Sequence, residues 1–153
     1  MNKVLFRAED VSLPAWAKPA KTYIKKVLDT LGKKNWEVSV LFCDNKYIKN
    51  LNAQYRGKDE PTDVLAFPLG ETAGKYYLAG DIVLSLDALE ENQRFFDVSG
   101  EEEMHRLLVH AILHLCGEDH ITNKEDEPML QRQEEILARI AGAGDLNRRM
   151  TSG

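Results

Sequence analysis

Residues 110–120 read HAILHLCGEDH, which gathers three of the chain's four histidines at spacings of four and six. On a helix turning about 100° per residue, positions four apart are displaced by only about 40°, so His110 and His114 project from one face and can share an ion. Gly117 lets the backbone enter the left-handed conformation that ends a helix, and the reversal can swing His120 towards the same ion. Three nitrogen ligands leave a tetrahedral zinc one open position for water, the arrangement of a catalytic rather than a structural site. Zinc, one ion per chain, is the expected cofactor, and copper and nickel also favour imidazole. Cys116 falls about 200° round the helix from His114 and should point away. His105 falls about 140° off the ligand face and is expected at the surface. The plain alternative is that these histidines decorate an amphipathic helix beside Leu107, Leu108, Ile112 and Leu113.

The spacing HxxxHxxGxxH is similar to the zinc-binding helix and turn of the metzincin peptidases, which carry Glu directly after the first histidine. Here that position is Ala111. A zinc peptidase uses the carboxylate to take a proton from water and deliver it to a poor amine leaving group. Peptide hydrolysis is therefore disfavoured, and a phosphodiester, whose leaving group needs less help, is the better substrate class.

Four features then match a known family: LNAQYRGKDEPTDVLAFP at 51–68, AGDIVLS at 79–85, LLVHAILHLCGEDH at 107–120, and their order along the chain. Together they resemble the YbeY family, bacterial rRNA maturation factors described as metal-dependent, single-strand-specific endoribonucleases. The resemblance implies a mixed sheet covered by helices, zinc on His110, His114 and His120, and single-stranded RNA or rRNA as substrate, with the ribosome or a small-subunit precursor as partner. Three positions depart from the usual pattern: Ala111 stands where Gly is usual, Glu118 where Tyr is, and Ala66 where Ser is. Glu118 puts a carboxylate two residues from His120, as a proton carrier or facing solvent. The YR at 55–56 makes Arg56 the catalytic candidate, a guanidinium fork suited to phosphate oxygens; its bland reading is a cation favoured at a helix C-terminus. Lys46, Lys49 and Lys58 can extend a basic track for the RNA backbone. Asp63 and Asp81 are carboxylates that can accept the second ring N–H of a zinc-binding histidine, and Asp119 can hold the turn through backbone N–H groups.

The elements that must position these residues are legible from periodicity. Alternation marks strands in NKVLFRAE, WEVSVLFC, DVLAF and YYLAGDIVLS, the last two pairing near Gly70 and Gly74. Helical spacing marks AWAKPAKTYIKKVLDTLG, then NKYIKNLNAQYR capped by Asp44, LDALEENQRFF capped by Ser85, and EEEMHRLLVHAILHLC opened by a Ser99–Glu102 capping box. A second capping box, Thr122–Glu125, opens a last helix expected to end near Ala141. The expectation is an α+β single domain over 1–153, with about four strands in a small mixed sheet, about five helices, the zinc-site helix in the core, an ordered part of about 2–142 and a frayed tail.

Composition bounds the rest. A chain of 153 residues with 43% hydrophobic and 29% charged content is ordinary for one soluble domain. No membrane span or secretory signal is legible, so a cytoplasmic location is expected. Cys43 and Cys116 sit in apolar runs and read as reduced core residues. The net charge of −5 hides segregation: residues 1–58 carry +7 and residues 59–153 carry −12, which permits a basic surface on an acidic protein. The leading reading is a zinc-dependent endoribonuclease in rRNA processing. The alternatives are a zinc peptidase or amidohydrolase of altered mechanism and a non-catalytic, metal-stabilised ribosome-associated factor.

Overall fold

Alternation along Trp36–Cys43 (β2) sends Val38, Val40 and Phe42 to one side and Leu41 and Cys43 to the other, and all five are buried. A strand buried on both faces belongs in the middle of a sheet. Lys3–Ala8 (β1) runs parallel to β2 on one side and Tyr76–Ser85 (β4) parallel on the other, while Val64–Ala73 (β3) closes the edge antiparallel to β4. The order is β1-β2-β4-β3. The computed structural model describes residues 1–119 and 127–152, with side chains as far as 142.

Helices Ala20–Thr30 (α1), Leu86–Phe96 (α3), Gly100–Leu115 (α4) and Pro128–Ser152 (α5) join the larger core, built on the β2 face that carries Val38, Val40 and Phe42. Asn45–Arg56 (α2) covers the other face through Ile48, with Tyr47 and Leu51 beside it. Helix α4 is central: it touches α1, α3, α5, β3 and β4. Leu107, Leu108, Ile112 and Leu113 are almost fully buried on it, each stabilising the fold by about 1.5–3 kcal/mol relative to exposure. That packing far outweighs the cost of holding two half-buried imidazoles on the same helix. Burial pushes the Cys43 thiol up to about 12, so it stays protonated as a core residue.

The expected α+β architecture is observed, as are the caps: Asp44 accepts from Tyr47 N–H, Ser85 from Ala88 N–H and Ser99 from Glu102 N–H. Strand β3 runs on to Ala73, past the end of the expected DVLAF strand, and two helices differ. The helix expected over 15–32 is a 3-10 turn at Ala15–Ala17 followed by α1, because Pro19 has no N–H to continue a helix through it. The last helix begins at Pro128, a favoured first helical residue, and its backbone continues through Ser152 beyond the expected end at Ala141. The Thr122–Glu125 capping box lies outside the described residues. Gly70 sits at an irregularity within β3, and Gly74 takes the hairpin turn.

One glycine governs how the layers meet. Gly80 in β4 has φ 145°, and a Cβ there would collide with the Phe67 carbonyl oxygen of β3 and the Leu115 side chain of α4. Its missing side chain lets β3, β4 and the end of α4 close on one point.

Candidate active site

Helix α4 is held at its start by the Ser99 cap, with three glutamates in the first turn favoured by the helix dipole. Its apolar residues bury themselves and leave a stripe at four-residue intervals, Arg106, His110 and His114, along a cleft of about 1000 Å³. The two histidine rings lie 4.7 Å apart at 74°, with their Nε2 atoms 3.1 Å from one another. Gln133 Oε1, buried on α5, lies 2.7 Å from His110 Nδ1. A carbonyl oxygen only accepts, so Nδ1 carries the proton and His110 Nε2 turns its lone pair towards His114 Nε2. Asp119 Oδ1 lies 3.9 Å from His114 Nδ1.

Across the cleft stand Arg56 at the end of α2, Lys58, Thr62 and Asp63, with Val64 and Ala66 of β3 between the two sides. The sequence reading missed a polar cluster at the α3 end. Glu103 is 2% exposed and clasps Arg106, accepting from Nε at 2.8 Å and from Nη2 at 2.5 Å. Asn92 of α3 donates to both Glu103 at 3.0 Å and Asp63 at 3.1 Å, tying one side of the cleft to the other. The bond to Glu103 raises the Arg106 pKa further, against the opposing effect of burial. Arg106, four residues before His110, and Glu103, three before Arg106, were recoverable from spacing; Asn92 and Gln133 become neighbours of the site only through tertiary packing.

A family model described as Endoribonuclease YbeY matches residues 4–141. The chain belongs to the YbeY family. Relatives named Endoribonuclease YbeY include one from Treponema denticola, 49% identical over 122 residues that span 76% of this chain and 79% of that protein. Another, from Treponema pallidum, is 39% identical over 143 residues, 90% of this chain and 89% of its own. The solution structure of TM1509 from Thermotoga maritima superposes with a TM-score of 0.64 at 29% identity, covering 94% of this chain and 93% of that one.

Of the residues singled out by the YbeY motifs, the fold brings His110, His114, Arg56, Lys58 and Asp63 to one cleft. His120 lies outside the described residues. Asp81 is not brought there: odd-numbered side chains of β4 from Asp81 to Ser85 face away from α4, and Asp81 bonds Ser39 in a separate cavity of about 530 Å³ behind the sheet. Glu118 forms an ion pair with Arg132 of α5 at 2.9 Å, rather than lining the cleft. Lys46 and Lys49 are exposed on α2, away from the cleft lining. His105, expected at the surface, is half-buried and stacked flat on Tyr23 with ring centroids 3.6 Å apart. Both departures, Ala66 and Ala111, fall along the cleft, Ala111 fully buried beneath it.

The donor set fits a zinc ion. Two imidazole nitrogens 3.1 Å apart can be spanned by two zinc–nitrogen bonds of about 2.0–2.1 Å, and a polar acceptor on the outer nitrogen of His110 is the support such ligands use. Among the described residues, no three His, Cys, Asp or Glu side chains converge as a complete ligand group.

Proposed function

We propose that this protein is a zinc-dependent endoribonuclease that cuts single-stranded RNA in rRNA processing and ribosome maturation. The observation that carries this reading is the convergence of His110 and His114, Nε2 to Nε2 at 3.1 Å, inside a cleft that Arg56 and Lys58 face from the opposite side. The endoribonuclease name of its relatives supports the reaction class. Single-strand preference and the ribosomal setting follow the resemblance of the motifs at 51–68, 79–85 and 107–120.

His110, His114 and His120 would hold the ion, which when bound supplies Lewis acidity that makes water a stronger nucleophile near neutral pH and offsets charge on phosphoryl oxygens. Gln133 fixes the His110 tautomer and ring angle, so one donor is set before the ion arrives. Arg56 presents a planar fork to the non-bridging oxygens of the phosphodiester and orients phosphorus towards the α4 side; Lys58 adds a mobile positive charge beside it. Asp63, held by Asn92, lines the same cleft as these cations and limits how far its positive potential extends. Ala111 occupies the sequence position where a zinc peptidase carries its carboxylate, which leaves phosphodiester cleavage as the reaction these residues suit.

The test is cleavage of matched single-stranded and duplex RNA by zinc-loaded protein, beside a chelated sample and the His114→Ala variant. Cleavage of the single strand that disappears in both controls is expected. Equal cleavage in wild type and both controls would overturn the assignment.

A further inference from the structure

At the mouth of the cleft, where α3 ends, two large apolar rings stand in water: Phe95 is 82% exposed and Phe96 is 53% exposed. Exposed phenylalanines side by side are unusual on a soluble surface and mark places where something apolar binds. They meet with ring centroids 5.1 Å apart and planes at 89°, and Phe96 keeps enough exposed surface to meet a flat partner. Asp97 ends the helix at φ 54° and ψ 50°, a left-handed conformation uncommon outside glycine, so the lip has a defined exit rather than a frayed one.

Phe96 lines the cleft, and the Arg106 guanidinium lies 5.5 Å from its ring centroid. Arg106 spends Nε and one Nη2 hydrogen on Glu103. Its remaining donors belong to the outer edge of the fork, on a side chain 35% exposed. A carboxylate that is 2% exposed and also bonded by Asn92 pins the aliphatic and planar parts of this arginine. An ion pair serving only to neutralise Glu103 needs neither the cleft nor an exposed ring beside it.

We propose that Phe96 and Arg106 form a nucleotide subsite at the lip of the cleft, with Phe96 stacking an unpaired base and Arg106 holding the adjoining phosphate. This deepens the ribonuclease reading and rests on it. An aromatic face accepts any base that is unstacked, and a base inside a duplex is not, so the subsite supplies a physical source of single-strand preference. Phe95 steadies the edge of Phe96. Arg56 lines the same cleft, so the strand meets a second guanidinium there.

The experiment measures binding of zinc-loaded protein to a single-stranded 2′-O-methyl RNA oligomer and to the same oligomer made abasic, over a range of salt. Wild type should favour the base-bearing strand by on the order of tenfold, and Phe96→Ala should lose that preference with its salt dependence intact. The double variant Glu103→Gln/Arg106→Gln, which avoids an orphaned buried carboxylate, should keep the base preference and lower the slope of log K against log salt by about 0.7. If wild type cleaves and binds RNA while Phe96→Ala retains the full base preference, or the double variant the full slope, the subsite is wrong and the ribonuclease reading stands. If wild type neither binds nor cleaves single-stranded RNA, both fall together.

Discussion

Along the α4 side of the cleft the polar groups are clasped, Arg106 by Glu103 and His110 by Gln133, whereas Arg56 and Lys58 on the facing side stand exposed to water. The contrast assigns labour. Groups that must hold a reacting geometry are fixed before substrate arrives, while groups that gather a charged polymer can stay adaptable and screened by salt. Removing a clasped group should therefore cost rate or metal affinity, and removing an exposed one should cost binding.

The largest effect is expected at His114. Its replacement by alanine should lower single-turnover cleavage by on the order of a thousandfold, since the proposed ion would supply several kcal/mol of charge stabilisation. Activity within tenfold of wild type would remove the α4 side from the chemistry. Next comes Gln133→Met, which deprives His110 Nδ1 of its acceptor; zinc affinity measured by chelator competition should weaken roughly 10- to 100-fold while the fold is kept. Unchanged affinity would mean the clasp is incidental. Arg56→Ala should lower kcat/KM by about tenfold, mainly through KM, with the salt slope reduced by about 0.7 and partial recovery in Arg56→Lys. A loss confined to kcat at unchanged slope would show the two sides to be equally preorganised.

The smallest effect separates His105 from the other histidines of α4. Burial against Tyr23 lowers its pKa, with Glu101 opposing and Lys26 reinforcing the shift. The unfolded chain then binds a proton that the folded protein resists, so this contribution to stability is intact above the ordinary histidine pKa of about 6.5 and declines as pH falls from there towards the lowered value. Comparing melting temperatures of wild type and His105→Phe between about pH 7.5 and 5 should show a shallower acid decline in the variant. Parallel curves would refute it.

Local chemistry made most of the fold legible. The strand alternation of WEVSVLFC, the caps at Asp44, Ser85 and Ser99, and the four-residue spacing of His110 and His114 each act within a few residues, and the structure carries all of them. Asp81 was ambiguous because AGDIVLS reveals that its side chains alternate without revealing which face α4 covers. Gln133 and Asn92 were illegible for a related reason: each becomes part of the site only when a second helix packs on α4. Pro19 was visible, and its missing N–H should have split the helix expected over 15–32.

Gly80 gives the AGD motif a meaning different from the one its aspartate invites. The strand beneath the cleft and the helix beside it converge on the one place in β4 where a single added carbon meets both a β3 carbonyl and Leu115. The approach of the helix to the sheet is thus set by an atom that is not there. A larger residue at 80 would act as a wedge, pushing the end of α4 off the sheet and shifting both imidazoles, and the proposed ion site with them, relative to Arg56.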